Sequence, residues 1–277
     1  MQLANRTVIV TGGCRGIGKA IVSACLEAGA NVLSADLSAP GVSTIGYDDS
    51  QHPNLRVLLG KDADVSSTSG RSIIVQSCIE RFGTVDALVN NAGVNFNKPL
   101  LETSEEDFDR VINIDLRGAF FLTKEVYHRW SSLPVESRKG LSVVNISSVH
   151  ASQGAPGQAP YDAAKAGMVG MSRALAVELA PMGVRVNVVS PGLVATDIWQ
   201  ELLLAAGPDR ERTQKYWATQ MPMARPLNPS EIASPVVFLI SEAASGITGT
   251  DMLVDAGMTA MLLSTPPFTS RNIDGGK

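Results

Sequence analysis

The sequence predicts an α/β chain built on a doubly wound, parallel seven-stranded sheet with helices on both faces. Short apolar, β-branched runs alternate with longer helical patterns from the first residues to about residue 254, the signature of a parallel sheet buried on both sides. No repeat period is visible, and no linker divides the 277 residues into halves. That length suits one large domain with ample core. Residues 1–263 are therefore read as a single domain, with a substrate lid at about 193–227, and residues 264–277 as a tail.

Taken in order, the strand candidates are Thr7–Thr11, Asn31–Asp36, Val57–Leu59, Ala87–Asn90, Ser142–Ser147, Arg185–Ser190 and Asp251–Val254. Helical patterns fall between them at Gly16–Ala28, Ser66–Arg81, Glu105–Trp130, Ala159–Ala180 and Pro229–Ser241. The Gly-, Pro-, Ser- and Asp-rich stretch Ser38–Asn54 and the segment Ser131–Gly140 read as solvent-facing loops. The tail, with Pro266-Pro267 and a Gly-Gly end, reads as loose or laid over a neighbouring surface.

Composition excludes several classes. Lys and Arg total 23 against 27 Asp and Glu, a net charge of -4, and no basic block appears, which argues against a nucleic-acid partner. No stretch of 18 uninterrupted apolar residues is present to span a membrane, and the N-terminus runs straight into a strand pattern with no signal peptide. Cys14, Cys25 and Cys78 lack metal-type spacing and cannot all pair, so a reducing, cytoplasmic setting is expected. His52, His128 and His150 are too scattered to indicate a metal site.

The first strand enters Thr11-Gly12-Gly13-Cys14-Arg15-Gly16-Ile17-Gly18, and a helix follows. Glycines there allow a tight turn, close backbone approach to a pyrophosphate and close helix–strand packing, while the helix N-terminus offers donors. The spacing departs from G-x-G-x-x-G, so the match is to the mechanism. Asp36 ends the second strand 18 residues after Gly18, where a carboxylate accepts from adenosine ribose hydroxyls and repels a 2′-phosphate. This favours NAD over NADP; Arg15, a cation in the loop, pulls the other way.

Tyr161 and Lys165, within Tyr-Asp-Ala-Ala-Lys, stand about one helical turn apart on one face. A neighbouring ammonium favours the phenolate over the phenol and makes tyrosine usable as a general acid or base.

With these features in hand, the chain resembles the short-chain dehydrogenase/reductase family. Thr11–Gly18, Asp64-Val65, Asn90-Asn91-Ala92-Gly93, Ser148, Tyr161 with Lys165, and Pro191-Gly192 followed by Thr196 occur in the family's order across residues 5 to 257. The resemblance implies an NAD(P)-binding Rossmann fold in which Tyr161 exchanges the hydroxyl proton, Lys165 lowers its pKa and holds the nicotinamide ribose, and Ser148 stabilises the substrate oxygen. It further implies cofactor contacts at Gly12, Arg15, Gly16, Ile17, Gly18, Asp36, Asp64, Val65, Asn91, Gly93, Val194 and Thr196, with Asn90 bracing strands. One position departs from the pattern. The family's usual Asn, three residues before Gly118, is Asp115 here. Ionised, Asp115 accepts hydrogen bonds but donates none, and its charge favours a protonated Lys165.

Residues after Pro191-Gly192 are expected to cover the substrate. Ile198, Trp199, Leu202, Leu203, Leu204, Tyr216, Trp217, Met221 and Met223 point either to an apolar pocket or to packing of the lid on the core. His150, Gln153 and Trp199 are candidate substrate contacts, with Asn95 and Phe96 beyond the fourth strand. The Ala159–Ala180 helix is apolar on nearly all sides, which predicts a homo-oligomer, a tetramer or dimer. The expected activity is hydride transfer between NAD(H) and a secondary alcohol or ketone. Alternatives are an NADPH-dependent ketone or 3-oxoacyl reductase and a redox-neutral epimerase, lyase or cyclase.

Overall fold

The computed structural model describes residues 2–37, 52–138, 140–205 and 207–262. The bulk of the 38–54 loop and the 264–277 tail lie outside these residues, as do the side chains of Ile198 and Leu202.

Seven strands form one sheet in the order β3-β2-β1-β4-β5-β6-β7. They are β1 (Thr7–Thr11), β2 (Asn31–Asp36), β3 (Leu55–Leu59), β4 (Ala87–Asn90), β5 (Ser142–Ile146), β6 (Arg185–Pro191) and β7 (Asp251–Val254). Every pairing is parallel. Strands β1, β4, β5 and β6 are buried along their whole length, as apolar β-branched runs covered on both faces must be. The order reverses between β1 and β4, so the crevice for a ligand opens at their carboxyl ends.

Helices α1 (Gly16–Glu27) and α8 (Pro229–Ile240) cover one face, and their Ile21, Val22, Cys25, Ile232, Val236 and Leu239 join a single apolar cluster with β1, β4 and β6. On the other face α2 (Thr68–Phe82), α4 (Ala119–Ser131) and the C-terminal half of α5 (Ala159–Leu179) bury Ile74, Leu122, Val126, Trp130, Ala176 and Leu179. Local signals set the ends. Ser67 caps α2 by accepting from Gly70 N (2.9 Å), and Gly83 closes it in the left-handed region. Burial pushes the Cys25 and Cys78 thiols up to about 12, which keeps them protonated packing groups.

The structure differs from the sequence expectation in four places. The Glu105–Trp130 pattern is not one α-helix: α3 (Glu105–Ile112) and α4 are joined by a π-turn over Asn113–Gly118. Periodicity does not detect one residue inserted into a turn, yet the wider turn re-aims the side chains it carries. The 131–140 segment includes a 3₁₀ turn at Val135–Arg138. The 193–227 segment also has helices of its own, α6 (Asp197–Ala205), whose Ile198, Trp199, Leu202 and Leu203 recur at helical spacing over barely two turns, and α7 (Arg210–Thr219), which is mostly polar and carries no apolar period. Strand ends shift by one or two residues: β3 begins at Leu55, β5 stops at Ile146 and β6 runs to Pro191.

Candidate active site

One cleft of about 730 Å³ runs along the carboxyl ends of the strands. Its walls include Gly12, Arg15, Gly16, Ile17, Gly18, Asp36, Asp64, Val65, Asn91 and Gly93 toward one end, and Asp115, Ser148, His150, Tyr161, Lys165, Val194, Thr196 and Trp199 toward the other.

The nucleotide end is shaped by the first strand–helix junction. Gly18 meets Gly12 so closely that a Cβ would sit 1.9 Å from the Gly12 carbonyl oxygen. Asn91 Nδ2 donates to Thr11 O (2.9 Å) and Gly12 O (3.0 Å), locking the loop to the end of β4. The first turn of α1 has no acidic residue and no side-chain cap, so its backbone donors face the cleft unopposed. Asp36 Oδ2 accepts from Cys14 N (3.0 Å), which fixes the carboxylate beside the loop. Asp64 is tied to Ser66 through its N (2.9 Å) and Oγ (2.7 Å), and Val65 O accepts from buried Arg71 (2.8 Å). Opposite, Thr196 Cγ2 comes 3.3 Å from where a Gly16 Cβ would lie, and Val194 bridges to Leu227. A Gly-rich loop, a carboxylate fixed at the end of β2 and a narrow approach are features a dinucleotide could use.

At the other end, β5 delivers Ser147 and Ser148 in opposite directions, as strand alternation requires. Ser147 Oγ donates to Lys165 O (2.9 Å), anchoring α5, while Ser148 faces the cleft and accepts from His150 N (3.3 Å). Pro160 at the start of α5 suits its first turn, and Tyr161 and Lys165 follow one turn apart, with Lys165 Nζ 5.3 Å from the tyrosine ring centre. Lys165 is almost wholly buried. Its Nζ donates to Ile146 O (3.3 Å) and lies 3.1 Å from Asp115 Oδ2. Burial alone would push the ammonium down, but the Asp115 carboxylate and then Tyr161 outweigh it and hold Lys165 above the ordinary lysine value.

Asp115 is fully buried. Its Oδ1 accepts from Val94 N (2.9 Å), while no hydrogen bond of good geometry reaches Oδ2, so the contact with Lys165 is ionic. The π-turn brings Asp115 to this position. Asn90, by contrast, belongs to a buried structural network: its Nδ2 donates to Asn145 Oδ1 (2.8 Å) and Thr123 Oγ1 (3.1 Å).

The substrate side corrects three expectations. Gln153 is exposed and does not line the cleft, because the chain turns outward after the 3₁₀ turn Val149–Ala151; the polar lining comes instead from Gln158, at the N-cap of α5. No local pattern marks Gln158; only the start of α5 could have drawn attention to it. Of the lid apolars, Trp199 reaches the cleft, whereas Leu203 and Met221 are buried, and Leu204, Tyr216 and Met223 face solvent. Asn95 lines the cleft, but Phe96 packs beneath it with Val111 and Ala164.

A Gly-rich strand–helix loop and a Ser, Tyr and Lys constellation share this cleft, an arrangement that suits an oxidoreductase. Residues 12–259 match the enoyl-(acyl carrier protein) reductase family model. A hydroxy(phenyl)methylsuccinyl-CoA dehydrogenase subunit, BbsD, of Thauera aromatica is 37% identical over 93% of this chain and 98% of its own length. A 3-oxoacyl-(acyl carrier protein) reductase of Thermotoga maritima is 34% identical, covering 93% of this chain and 99% of its own. Among solved structures, a glucose/ribitol dehydrogenase of Brucella melitensis superposes with a TM-score of 0.81 at 37% identity, covering 93% of this chain and 98% of that one. The chain belongs to the short-chain dehydrogenase/reductase family, and it is an oxidoreductase that transfers hydride on an alcohol or ketone.

Proposed function

We propose that the protein interconverts a secondary alcohol and its ketone with NAD(H), using Tyr161 as the general acid or base. The observation that carries this is the single cleft holding Asp36 at one end and Ser148, Tyr161 and Lys165 at the other. Gly12–Gly18, Asp36, Asp64, Val65, Asn91, Gly93, Val194 and Thr196 would hold the nucleotide, which when bound supplies or accepts the hydride. Ser148 donates a hydrogen bond to the substrate oxygen, stabilising charge that develops there. Tyr161 gives its hydroxyl proton to that oxygen during reduction and takes it back during oxidation. Lys165, kept cationic by Asp115, holds positive charge beside the phenol through both directions.

Asp36 supports NAD over NADP, since a 2′-phosphate would meet a carboxylate held in place by Cys14. Replacing Tyr161 by Phe removes the proton donor, and turnover should fall on the order of 10²–10⁴-fold. Titration of the wild type with both nucleotides should show tighter NAD(H) binding. Retained turnover in the variant would end the reading, and NADP(H) preference would end its cofactor half. A second reading, reduction of a 3-oxoacyl thioester, is supported by the name of the Thermotoga relative; a thioester and a simple ketone compared on one enzyme separate the two.

Self-association is proposed through α5. Ala163, Ala166, Gly170, Ala174 and Val177 are exposed along it, Val177 at 79%. A second copy of this helix would cover them. Sedimentation should show a dimer or tetramer; a concentration-independent monomer would contradict it.

A further inference from the structure

Beside the reacting groups stands a pair the proton chemistry does not use. His150 Nδ1 is 2.6 Å from Asp162 Oδ1, and the imidazole meets the Tyr161 ring edge-on with centroids 5.4 Å apart. The other carboxylate oxygen, Oδ2, accepts from Ala155 N (3.3 Å), so Asp162 is held at both ends and holds the ring in turn. An ionised carboxylate only accepts, which places the proton of the neutral imidazole on Nδ1 and leaves Nε2 as an acceptor. Among the described residues Nε2 has no protein partner, although His150 lines the cleft. Gln158, also in the lining, carries a buried Oε1 with no partner.

Two unpartnered acceptors next to the reacting centre call for a ligand that brings donors. Gln158 Oε1 is buried, and a buried acceptor left unmatched is costly; His150 Nε2 is an open acceptor on a half-buried ring, and the carbonyl of a thioester or an ionised carboxylate can donate to neither. We propose that His150, set by Asp162, together with Gln158, recognises a second hydroxyl of the substrate on the carbon next to the reacting one. The substrate class is then a vicinal diol or polyol, with Trp199 giving an apolar wall to its carbon skeleton. This deepens the alcohol–ketone reading and rests on it.

The test uses the full-length protein with NAD. Vicinal diols and polyols (butane-2,3-diol, cyclohexane-1,2-diol, ribitol) are each compared with the counterpart lacking the second hydroxyl, and a 3-oxoacyl thioester is run in reduction. The expected result is a kcat/KM ratio favouring the diols by roughly ten- to a hundred-fold. His150→Leu should collapse that ratio. Asp162→Asn should lower it by less than His150→Leu, since the amide holds the ring less firmly while a hydroxyl, which donates and accepts, still pairs with Nε2 in either tautomer; a change in the diol-to-mono-alcohol ratio is an effect a merely structural contact would not produce. Turnover of the mono-alcohols without a diol preference overturns the inference and leaves hydride transfer standing, as does a ratio unmoved in both variants. Preference for the thioester overturns it in favour of the acyl reading. Turnover of none of these compounds with either nucleotide removes the alcohol–ketone reading, and the inference with it.

Discussion

The two ends of the cleft are built in opposite ways. At the nucleotide end, α1 buries Ile21, Val22 and Cys25 in one cluster with Val8 and Val10 of β1 and Val32 of β2, and the loop between β1 and α1 is pinned by Asn91 and Asp36. At the substrate end, none of the residues of α7 is buried, and the aromatic contacts that α7 makes are an edge-on meeting of Trp217 with Trp199 at 6.5 Å and with its neighbour Tyr216 at 5.8 Å. Few buried apolar contacts mean a low cost of local opening, which suits a segment that must admit and release substrate. The nucleotide end has geometry that tolerates no substitution of certain atoms; the lid has geometry that tolerates many.

The largest expected effect breaks the rigid end. In Gly18→Ala the new methyl would lie 1.9 Å from the Gly12 carbonyl, a backbone atom that cannot turn away. The loop must reshape, and overpacking of this kind costs about 1–3 kcal/mol. Nucleotide Kd should rise about 100-fold, with circular dichroism near wild type and a lower Tm. An unchanged Kd would show that the loop has slack the structure denies it.

The same contrast explains what the sequence made legible. Gly12–Gly18, Asp36 and the Tyr161–Lys165 spacing could be read because each obeys a local rule: a turn that only glycine allows, a strand end, one helical turn. The strands were legible because burial on both faces forces apolar β-branched runs. The π-turn was not, since an inserted residue leaves the apolar pattern on each side intact while changing where Asp115 points. Nor was the exchange of Gln153 for Gln158 in the cleft lining. That depends on how the chain leaves the 3₁₀ turn after Ser148 and re-enters at α5, a tertiary fact with no periodic trace. Helix α7 escaped for a related reason: a segment that buries little carries little pattern.

Asp115 joins the two ends, and its replacement sharpens the comparison through pH. The Lys165 pKa is raised in the folded protein, so the stability this ion pair contributes is fully present below the ordinary lysine value and is lost as pH rises through the raised one. Asp115→Asn leaves only Tyr161 to oppose burial, and the ammonium loses its proton earlier. The alkaline limb of kcat for alcohol oxidation should move to lower pH. Tm should fall most at neutral pH, by a loss on the order of 3 kcal/mol, and the gap from wild type should close at strongly alkaline pH. An unmoved alkaline limb would mean that Ile146 O and Tyr161 suffice to keep Lys165 charged without Asp115.

The smallest effect is expected in the lid. Trp217→Ala removes the ring that α7 sets against Trp199, and such aromatic pairs contribute about 0.5–1.5 kcal/mol beyond the area they bury. Trp199 itself, a buried residue of α6, remains in the cleft wall, so that part of the lining is kept while its backing is loosened. The prediction is a KM raised about three- to ten-fold, a kcat changed less, and nucleotide Kd within about two-fold of wild type. If product release through this segment limits turnover, a looser lid raises kcat while KM rises with it, and a viscosity series on wild type and variant distinguishes that case. A nucleotide Kd that weakens as much as KM would show that the lid and the dinucleotide loop move as one body, through the Thr196 approach to Gly16, and the division between the two ends would then be wrong.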